Sequence, residues 1–464
     1  MVEDGAWPGK LYSELCALIA PVFAQARSRF AAFAYVAALL AAAGDRKSCW
    51  QLGEQAGHAT PRRMQALLAE YAWDWRVALA RLQRFILARL ADPDAILVLD
   101  ETAELKKGTM TVGVARQHAG ITGQIENCQT VVFLAYVTQR AHTLFGFRLY
   151  LPKPWCEDRR RRGRAQIPED MKFATKTELG TDMITEAVAA GVLFGWAAGD
   201  EVYGRSSKLR AACEDAGKGY VFTVPVSFTV TTPAGRKAAV AALARLVPTA
   251  AWETRSCGRG CKGHRDYEWA MVATSSLRHW LLIRRNICDP DDLAFFYCHA
   301  SGPVSLPILI KVAGKRWPVE ECFQQGKGQA GLDQHQLRLW HSFCRHTVLS
   351  MCALALLAVA TARPPGTQAP WAAAGPGTAT GPQAYPATTD QPERWHDTGK
   401  LPRRPGEQPP QDMGLIRVTV PEARRLLAAP VRETFRSSWS IWRRRHQARA
   451  RWHHYQARLR AAPV

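Results

Sequence analysis

The sequence predicts an α/β protein with a helical N-terminal part, a core of alternating strands and helices, and a β-rich insertion in that core. Two observations indicate the core: the apolar run 95–99 ends at Asp100, and the apolar run 192–199 ends at Asp200. Short apolar runs of this kind are typical of buried strands. The chain of 464 residues, 47% of them hydrophobic, is long enough to bury such a core.

Residues 1–92 predict an all-helical N-terminal domain. Apolar residues recur at helical spacing from Leu11 onward, and an Ala-rich run follows at 30–43. A short helix at 48–57 and a second beginning at Pro61 surround a tight turn, as in a helix-turn-helix. Because Arg62 and Arg63 open the second helix, we predict that this domain binds DNA through them. An ordinary helical hairpin is the alternative.

Residues 93–226 form the first part of the predicted core. The patterns predict strands at 95–99, 129–138 and 143–151, a helix at 177–190, the strand before Asp200, a helix at 206–216 and a strand at 220–224. This βββαβαβ order is that of an RNase H-like fold, in which the first and fourth strands are neighbours. We therefore expect Asp100 and Asp200 to meet at one edge of the sheet.

Four further segments complete the predicted organisation. They are a β-rich insertion at 227–300, a helical part of the core at 301–362, a flexible Pro/Gly/Ala-rich linker at 363–412 and a basic helical tail at 413–464. From Arg417 to the last residue, twelve Arg stand against two Glu, a balance of +10. The tail therefore carries nearly half of the net charge.

The net charge of +21 indicates a polyanionic partner, either nucleic acid or an anionic membrane surface. Surplus Arg from genomic base composition is the alternative. The longest apolar stretch, 347–362, is short for a membrane span, and we interpret it as a buried helix. The twelve scattered cysteines and the acidic start Met1-Val-Glu-Asp predict reduced thiols in a cytoplasm and no membrane partner.

Arg316, Glu320 and Lys327 are spaced by four and seven residues, which places them on one face of a helix. A carboxylate flanked by two cations is suited to holding a divalent metal against a phosphodiester. Asp100, Asp200 and Glu320 together supply hard oxygen ligands from separate elements, which suggests a nucleic-acid enzyme with two metal ions. In this interpretation one ion activates the attacking water or 3′-hydroxyl, and the other stabilises the leaving oxygen.

Each of these three acids is followed directly by a glutamate. In an extended strand Glu101 points to the face opposite Asp100, and Glu201 stands in the same relation to Asp200. Glu321 lies about 100° around the helix from its neighbour. We therefore assign the metal ligands to the first acid of each pair, and capping or structural ion pairs to the second.

Two groups of cations near these acids predict phosphate contacts. Lys106 and Lys107 follow the first aspartate and are expected to face phosphates near the scissile bond. Arg159 and Arg160 begin a basic run at 159–164 that reads as a phosphate clamp. Solvated loop side chains are the alternative for both groups.

Several blocks of the chain resemble those of bacterial insertion-sequence DDE transposases. They are Asp100-Glu-Thr-Ala-Glu-Leu-Lys-Lys-Gly-Thr109, Gly123-Gln-Ile-Glu-Asn-Cys-Gln129, Asp200-Glu-Val-Tyr-Gly204, Arg316-Trp-Pro-Val-Glu320 and Gly331-Leu-Asp-Gln-His-Gln336. The subgroup has its last acid in a Tyr-x2-Arg-x3-Glu-x6-Lys signature. Arg316, Glu320 and Lys327 match this signature, whereas Ala313 occupies the Tyr position. The similarity runs from about 48 to 362, with a weaker match in the tail.

The resemblance implies a DNA transposase that cuts at the ends of an insertion sequence and joins the 3′-hydroxyls to target DNA, using Mg²⁺ or Mn²⁺. It also implies an RNase H-like core with a β-insertion before the last acid. The expected partners are terminal inverted repeats, target DNA and a second copy of the chain, since two element ends must be joined in concert. The expected location is a bacterial cytoplasm, at the nucleoid when bound to DNA. A catalytically silent DNA-binding regulator and a stand-alone nuclease are the alternatives.

Overall fold

The computed structural model describes residues 7–42, 46–260, 263–362 and 418–427, together with 448 and 452. The predicted linker at 363–412 and most of the predicted tail at 413–464 lie outside these residues. The chain divides into two compact units. One is Tyr12–Val359, which contains every residue of the predicted site, and the other combines Met1–Leu11 with Ala360–Val464.

Five helices precede the first strand. They are α1 (Trp7–Ile19), α2 (Ala26–Ala41), α3 (Cys49–Gln55), α4 (Arg62–Ala69) and α5 (Trp75–Leu90). In α5 the buried side chains recur at helical spacing and include Leu79, Leu82 and Phe85. This helix begins where the Asp74 carboxylate accepts a hydrogen bond from the Arg76 backbone N–H at 2.7 Å.

Strands and helices then alternate through the larger unit. They are β1 (Ile96–Leu105), β2 (Ala115–Ala119), β3 (Gln124–Val137), β4 (His142–Leu149), α6 (Lys153–Glu157), α7 (Arg159–Ala165), α8 (Lys176–Ala189), β5 (Trp196–Gly199), α9 (Glu201–Gly204), α10 (Ser207–Asp215), β6 (Gly219–Val224), β7 (Thr229–Thr231), β8 (Lys237–Ala239), α11 (Val240–Ala244), β9 (Glu253–Gly260), β10 (Gly263–Ala273), β11 (His279–Arg285), β12 (Leu293–His299), α12 (Leu306–Gly314), α13 (Pro318–Ala330) and α14 (Trp340–Thr361). The described residues of the second unit include α15 (Val420–Leu427).

Ten of the strands form one mixed sheet. Its order is β2-β3-β1-β5-β6-β12-β11-β10-β9, and β4 pairs with β3. β1 runs parallel to β5, and β5 runs parallel to β6, whereas β3 is antiparallel to β1. The prediction that the strands of Asp100 and Asp200 are neighbours is therefore confirmed.

The first core strand is longer than the sequence predicted. Asp100 was expected to end it, but β1 continues to Leu105. The reason is that pairing with β3 continues beyond the pairing with β5: the last β1–β5 pair is Leu99 with Gly199, whereas the β1–β3 ladder extends to Leu105 opposite Cys128. A polar side chain within a buried strand does not end the strand when a neighbour still satisfies its backbone.

The β-rich segment predicted at 227–300 contains six strands, β7 to β12. Four of them continue the main sheet, because β12 pairs with β6 and is followed outward by β11, β10 and β9. The other two, β7 and β8, pair only with each other. The segment therefore extends the core sheet on the side of β6.

Side chains of helix α14 form hydrogen bonds to the backbone at the end of α4, the helix that we predict to bind DNA. It is long and apolar enough to cross a membrane, but 94% of its apolar window is buried, as predicted for a core helix. The Arg345 guanidinium donates hydrogen bonds of 2.9 Å to the carbonyl oxygens of Leu68 and Trp73. These bonds satisfy backbone carbonyl oxygens at and just beyond the C-terminal end of α4. At the N-terminal end of α4, Arg62 and Arg63 are exposed.

Candidate active site

The two aspartates follow directly after the last residues that pair β1 with β5. Leu99 and Gly199 are opposite each other in this parallel pair, so Asp100 and Asp200 occupy adjacent positions at the same edge. Asp100 is 8% exposed. The expected meeting of these two acids therefore follows from the strand register.

Asp200 also starts helix α9. One of its carboxylate oxygens accepts a hydrogen bond from the backbone N–H of Val202 at 2.9 Å, and this fixes the side chain at the end of β5. At the other end of α9 the backbone approaches β6 closely: a Cβ on Gly204 would lie 1.9 Å from the carbonyl oxygen of Thr223. In the block Asp200-Glu-Val-Tyr-Gly204, the first residue therefore caps α9, and the last residue must be glycine because its backbone lies so close to β6.

Helix α13 brings Glu320 to β1, but the predicted stripe is only partly helical. Arg316 lies in the turn before α13, because the helix begins at Pro318, a residue suited to the first helical position. The Arg316 guanidinium still donates a hydrogen bond of 3.3 Å to Asp100 Oδ2. In the last turn of the helix, Lys327 donates a hydrogen bond of 2.7 Å to the Thr102 hydroxyl. Both cations therefore contact β1, and the exposed Glu320 lies between them in sequence.

The electrostatics of Asp100 show that the acids share one region. Burial raises the pKa of Asp100 to about 8; Arg316 opposes this rise, and the charges of Asp200, Glu320 and Glu101 add to it. Burial also raises the pKa of Asp200, and the charge of Glu101 contributes next. Carboxylates that raise one another's pKa in this way provide hard oxygen donors and an excess of negative charge that a divalent cation would balance.

The ligand atoms of the three predicted acids are not tightly clustered. In the described part of the chain, the one group of three His, Cys, Asp or Glu ligand atoms within 4.8 Å of one another lies elsewhere in the sheet. The carboxylate oxygens of Asp100, Asp200 and Glu320 are therefore more widely spread than in a closed site for one ion.

The glutamates that follow the three acids are all engaged in ion pairs, as we interpreted them. Glu201 pairs with Arg205 one turn along the chain, and Glu321 pairs with His142 at 3.2 Å. The hydrogen bond from that histidine lowers the pKa of Glu321.

Glu101, the remaining glutamate of the three, has two partners, one on α8 and one on α9. It pairs with Lys176 at 2.7 Å and accepts a 2.9 Å hydrogen bond from the Tyr203 hydroxyl. Its charge nevertheless acts on the site, because it raises the pKa of Asp200. Asp200 lies beyond the last paired residue of β5, so its carboxylate is not confined to one face of the sheet.

The prediction of a phosphate contact from Lys106 needs correction. Its side chain is buried, and its Nζ donates to the carbonyl oxygens of Asp333 and His335 at 3.0 Å each. The same Nζ lies 3.0 Å from the Glu104 carboxylate. Lys106 is thus a structural cation that faces inward, whereas its neighbour Lys107 is exposed.

The basic run at 159–164 divides into exposed and structural arginines. Arg159 and Arg160 are exposed at the start of α7. Arg161 stacks 3.7 Å from the ring of Trp155 and donates to backbone carbonyls, and Arg162 likewise bonds the backbone of Pro168. Of the five arginines in this run, Arg159, Arg160 and Arg164 have the exposure that the predicted phosphate clamp requires.

Sequence reasoning missed two groups of partners around the acids. One is the buried set of Glu104, Lys106 and His335, which joins β1 to the segment after α13. The other is the pair of Lys176 and Tyr203 on Glu101. A signal existed for the first group: Glu104 is four residues after Asp100 in a strand, so it lies on the same face and requires a partner when buried.

The comparisons with known proteins agree with this geometry. The sequence profile of a family described as DDE superfamily endonuclease matches residues 19–260, a range that contains Asp100 and Asp200 but not Glu320. The sequence is also 26% identical over 199 residues to the probable transposase for insertion sequence element IS701 of Microchaete diplosiphon, which covers 43% of this chain. The aligned part spans about half of that relative, 49% of its length. The chain belongs to the DDE superfamily endonucleases.

Proposed function

We infer that this chain is a DNA transposase that cleaves at the ends of an insertion sequence and joins the 3′-hydroxyls to target DNA. The observation that carries this proposal is the parallel pair β1–β5, which brings Asp100 and Asp200 to adjacent positions. The relative named as a probable transposase supports it from the sequence side. Asp100, Asp200 and Glu320 are the proposed catalytic residues.

The proposed catalytic core is RNase H-like, and the strand order supports this. The strands run β4-β3-β1-β5-β6, with β3 antiparallel to β1, and with β5 and β6 parallel to it. Apart from the short strand β2, which pairs with β3, and the short helices α6 and α7, the chain follows the βββαβαβ order predicted from the sequence: three antiparallel strands, then α8, β5, α9 with α10, and β6. In this proposal β7 to β12 belong to the insertion between the second and third acids.

The donor set fits Mg²⁺ or Mn²⁺, and we propose that Asp100, Asp200 and Glu320 hold two such ions. Their oxygens are the ligand type that these cations prefer. When bound, the ions stabilise charge on the attacking and leaving oxygens of a phosphoryl transfer. The raised pKa of Asp100 is consistent with a site that a cation completes.

The flanking cations position the acids and have donors left for DNA. Arg316 holds the Asp100 carboxylate through one N–H, and a guanidinium has five. Lys327 uses two of its three N–H groups on Thr102 and on the carbonyl oxygen of Ala103. We propose that their remaining N–H groups bind the phosphates of the element end, with Glu320 exposed between them.

The proposed DNA contacts outside the acids come from exposed cations on three elements. They are Arg62 and Arg63 on α4, Lys107 after β1, and Arg159 and Arg160 on α7. The proposed substrates are double-stranded terminal inverted repeats and target DNA, bound by two copies of the chain. We further propose that the protein acts in a bacterial cytoplasm, at the nucleoid when bound to DNA.

The test is cleavage of a labelled terminal inverted repeat by Asp100→Asn, Asp200→Asn and Glu320→Gln proteins with Mg²⁺. Each variant should lose cleavage yet retain binding to the repeat, because each change removes a ligand charge without removing a DNA-facing cation. Glu201→Gln and Glu321→Gln are the matched controls and should cleave normally, since these acids pair with Arg205 and His142.

Two outcomes would contradict the assignment. Normal cleavage by the Asp200→Asn protein would remove that residue from the site. If the unmodified chain binds the repeat tightly but neither cleaves nor joins it with Mg²⁺ or Mn²⁺, the second candidate, a catalytically silent DNA-binding regulator, is the better description.

A further inference from the structure

A second group of ligand-type side chains lies away from the three acids. Glu214 is near the end of α10, His279 is the first residue of β11, and His299 is the last residue of β12. The two histidines are opposite each other in the antiparallel β11–β12 pair, and His299 is also opposite Tyr220 of β6. The strand register therefore brings both imidazoles together beneath the end of α10.

The spacing of the three ligand atoms suits one metal ion. One atom from each residue lies within 4.8 Å of the other two. His279 Nε2 is 3.1 Å from Glu214 Oε1, and the two imidazole centroids are 4.9 Å apart. Tetrahedral Zn²⁺ with bonds of about 2.0–2.1 Å has ligand atoms about 3.3 Å apart. One pair already has this separation, and the third ligand needs a shift of at most about 1.5 Å.

The hydrogen bonding of His299 leaves one ring nitrogen available for a metal. Its Nδ1 is 3.2 Å from the carbonyl oxygen of Lys218, and a carbonyl oxygen can only accept. Nδ1 therefore carries the hydrogen, and the lone pair is on Nε2. The residue is buried, with 4% of its surface exposed.

The other two candidate ligands also form hydrogen bonds to neighbouring side chains, as the ligands of metal sites commonly do. His279 Nδ1 is 2.8 Å from the Ser276 hydroxyl, which can accept from it when Nε2 binds a metal. Glu214 Oε1 accepts a 2.8 Å hydrogen bond from the Tyr220 hydroxyl. The ring of His279 is stacked on Tyr297 at 19° between planes. Such partners fix the orientation of ligands around a metal.

We propose that Glu214, His279 and His299 form a binding site for a divalent transition-metal ion of the Zn²⁺ type, with a fourth position open to water. Two imidazole nitrogens and one carboxylate oxygen favour such an ion over Mg²⁺, which prefers oxygen ligands. The site is chemically distinct from the three acids and goes beyond the proposed function. A bound ion would fasten the end of α10 to β11 and β12.

The test uses purified, untagged full-length protein, freed of metal and titrated with Zn²⁺ and with Co²⁺ as a spectroscopic probe. The unmodified protein should show the visible absorption of four-coordinate Co²⁺, and excess Mg²⁺ should not displace it. His279→Gln and Glu214→Gln should each lose this absorption and one equivalent of tightly bound Zn²⁺. Loss of a ligand should weaken binding at this site by at least about 100-fold.

Two controls keep the result decisive. His118→Gln removes an exposed histidine of β2 and should bind as the unmodified protein does. Zn²⁺ should raise the midpoint of thermal unfolding of the unmodified protein and of His118→Gln. The increase should be much smaller for His279→Gln and for Glu214→Gln. Unchanged Zn²⁺ stoichiometry and Co²⁺ absorption in both ligand variants would overturn the proposal, whether or not the protein cleaves DNA.

Discussion

The buried cation Lys106 allows a quantitative test of the structure. Its Nζ contacts three acceptors at 3.0 Å: the carbonyl oxygens of Asp333 and His335, and the carboxylate of Glu104. Lys106, Glu104 and His335 are 6%, 4% and 9% exposed. Loss of one partner of a buried ion pair leaves an uncompensated charge, which costs about 3–5 kcal/mol. Lys106→Met should therefore lower the free energy of unfolding by about 4 kcal/mol.

The decrease in the free energy of unfolding that we expect for Lys106→Met depends on pH through the pKa of Glu104. Burial alone would raise this pKa, but the charges of Lys106 and His335 lower it to about 2. The depressed pKa gives stability that is present above the unfolded value of 4.5 and is lost as the pH falls towards 2. Lys106→Met removes the cation that offsets the burial of Glu104, so we expect the pKa of Glu104 to rise in this variant. The deficit of Lys106→Met relative to the unmodified protein should therefore be larger at pH 8 than at pH 5.

The assay is urea unfolding followed by tryptophan fluorescence at both pH values. The double variant Glu104→Gln/Lys106→Met removes the uncompensated charge. Its free energy of unfolding should be only about 1–3 kcal/mol below that of the unmodified protein, because two carbonyl groups still lose their donor. The exposed neighbour supplies the matched control: Lys107→Met should change stability by less than about 0.5 kcal/mol. A cost below about 1 kcal/mol for Lys106→Met at pH 8 would refute the reasoning.

Two further predictions concern exposed cations and the acid next to Asp100. Arg159→Ala/Arg160→Ala should weaken DNA binding uniformly across sequences and reduce the slope of log affinity against log salt by about 2, measured by fluorescence anisotropy; an unchanged slope would exclude them from phosphate contact. Glu101→Gln should lower the free energy of unfolding by about 1–2 kcal/mol, because its charge pairs with Lys176 at 2.7 Å. A double-mutant cycle with Lys176→Met should then show positive coupling, and zero coupling would refute the pairing.

The sequence predicted the parts of the core that depend on local patterns. Apolar runs located β1 and β5, and their order placed the strands side by side, which the register of Leu99 with Gly199 confirms. The long apolar helix was also correctly predicted to be buried. These predictions succeed because period and burial are local properties of the chain.

Predictions that depended on the partner of a side chain were less accurate. Lys106 and Lys107 have the same charge and adjacent positions, yet alternation along the chain turns one inward, where Glu104 lies two residues away on the same face. Arg316 was placed on a helix by its spacing from Glu320, although Pro318 marks the start of that helix. Spacing alone does not show where an element begins, whereas a proline at the first helical position does.

The buried group of Glu104, Lys106 and His335 also changes how the blocks shared with insertion-sequence transposases are understood. The block at 100–109 contributes both the proposed metal ligand Asp100 and the structural pair of Glu104 and Lys106. The block at 331–336 contributes His335 and the carbonyl oxygens that hold Lys106. Because α13 precedes the second block directly, this contact fixes the end of the helix that carries Glu320, while Lys327 fixes the same helix to β1. Part of these two blocks therefore serves to hold the helix of Glu320, the proposed third acid, against β1.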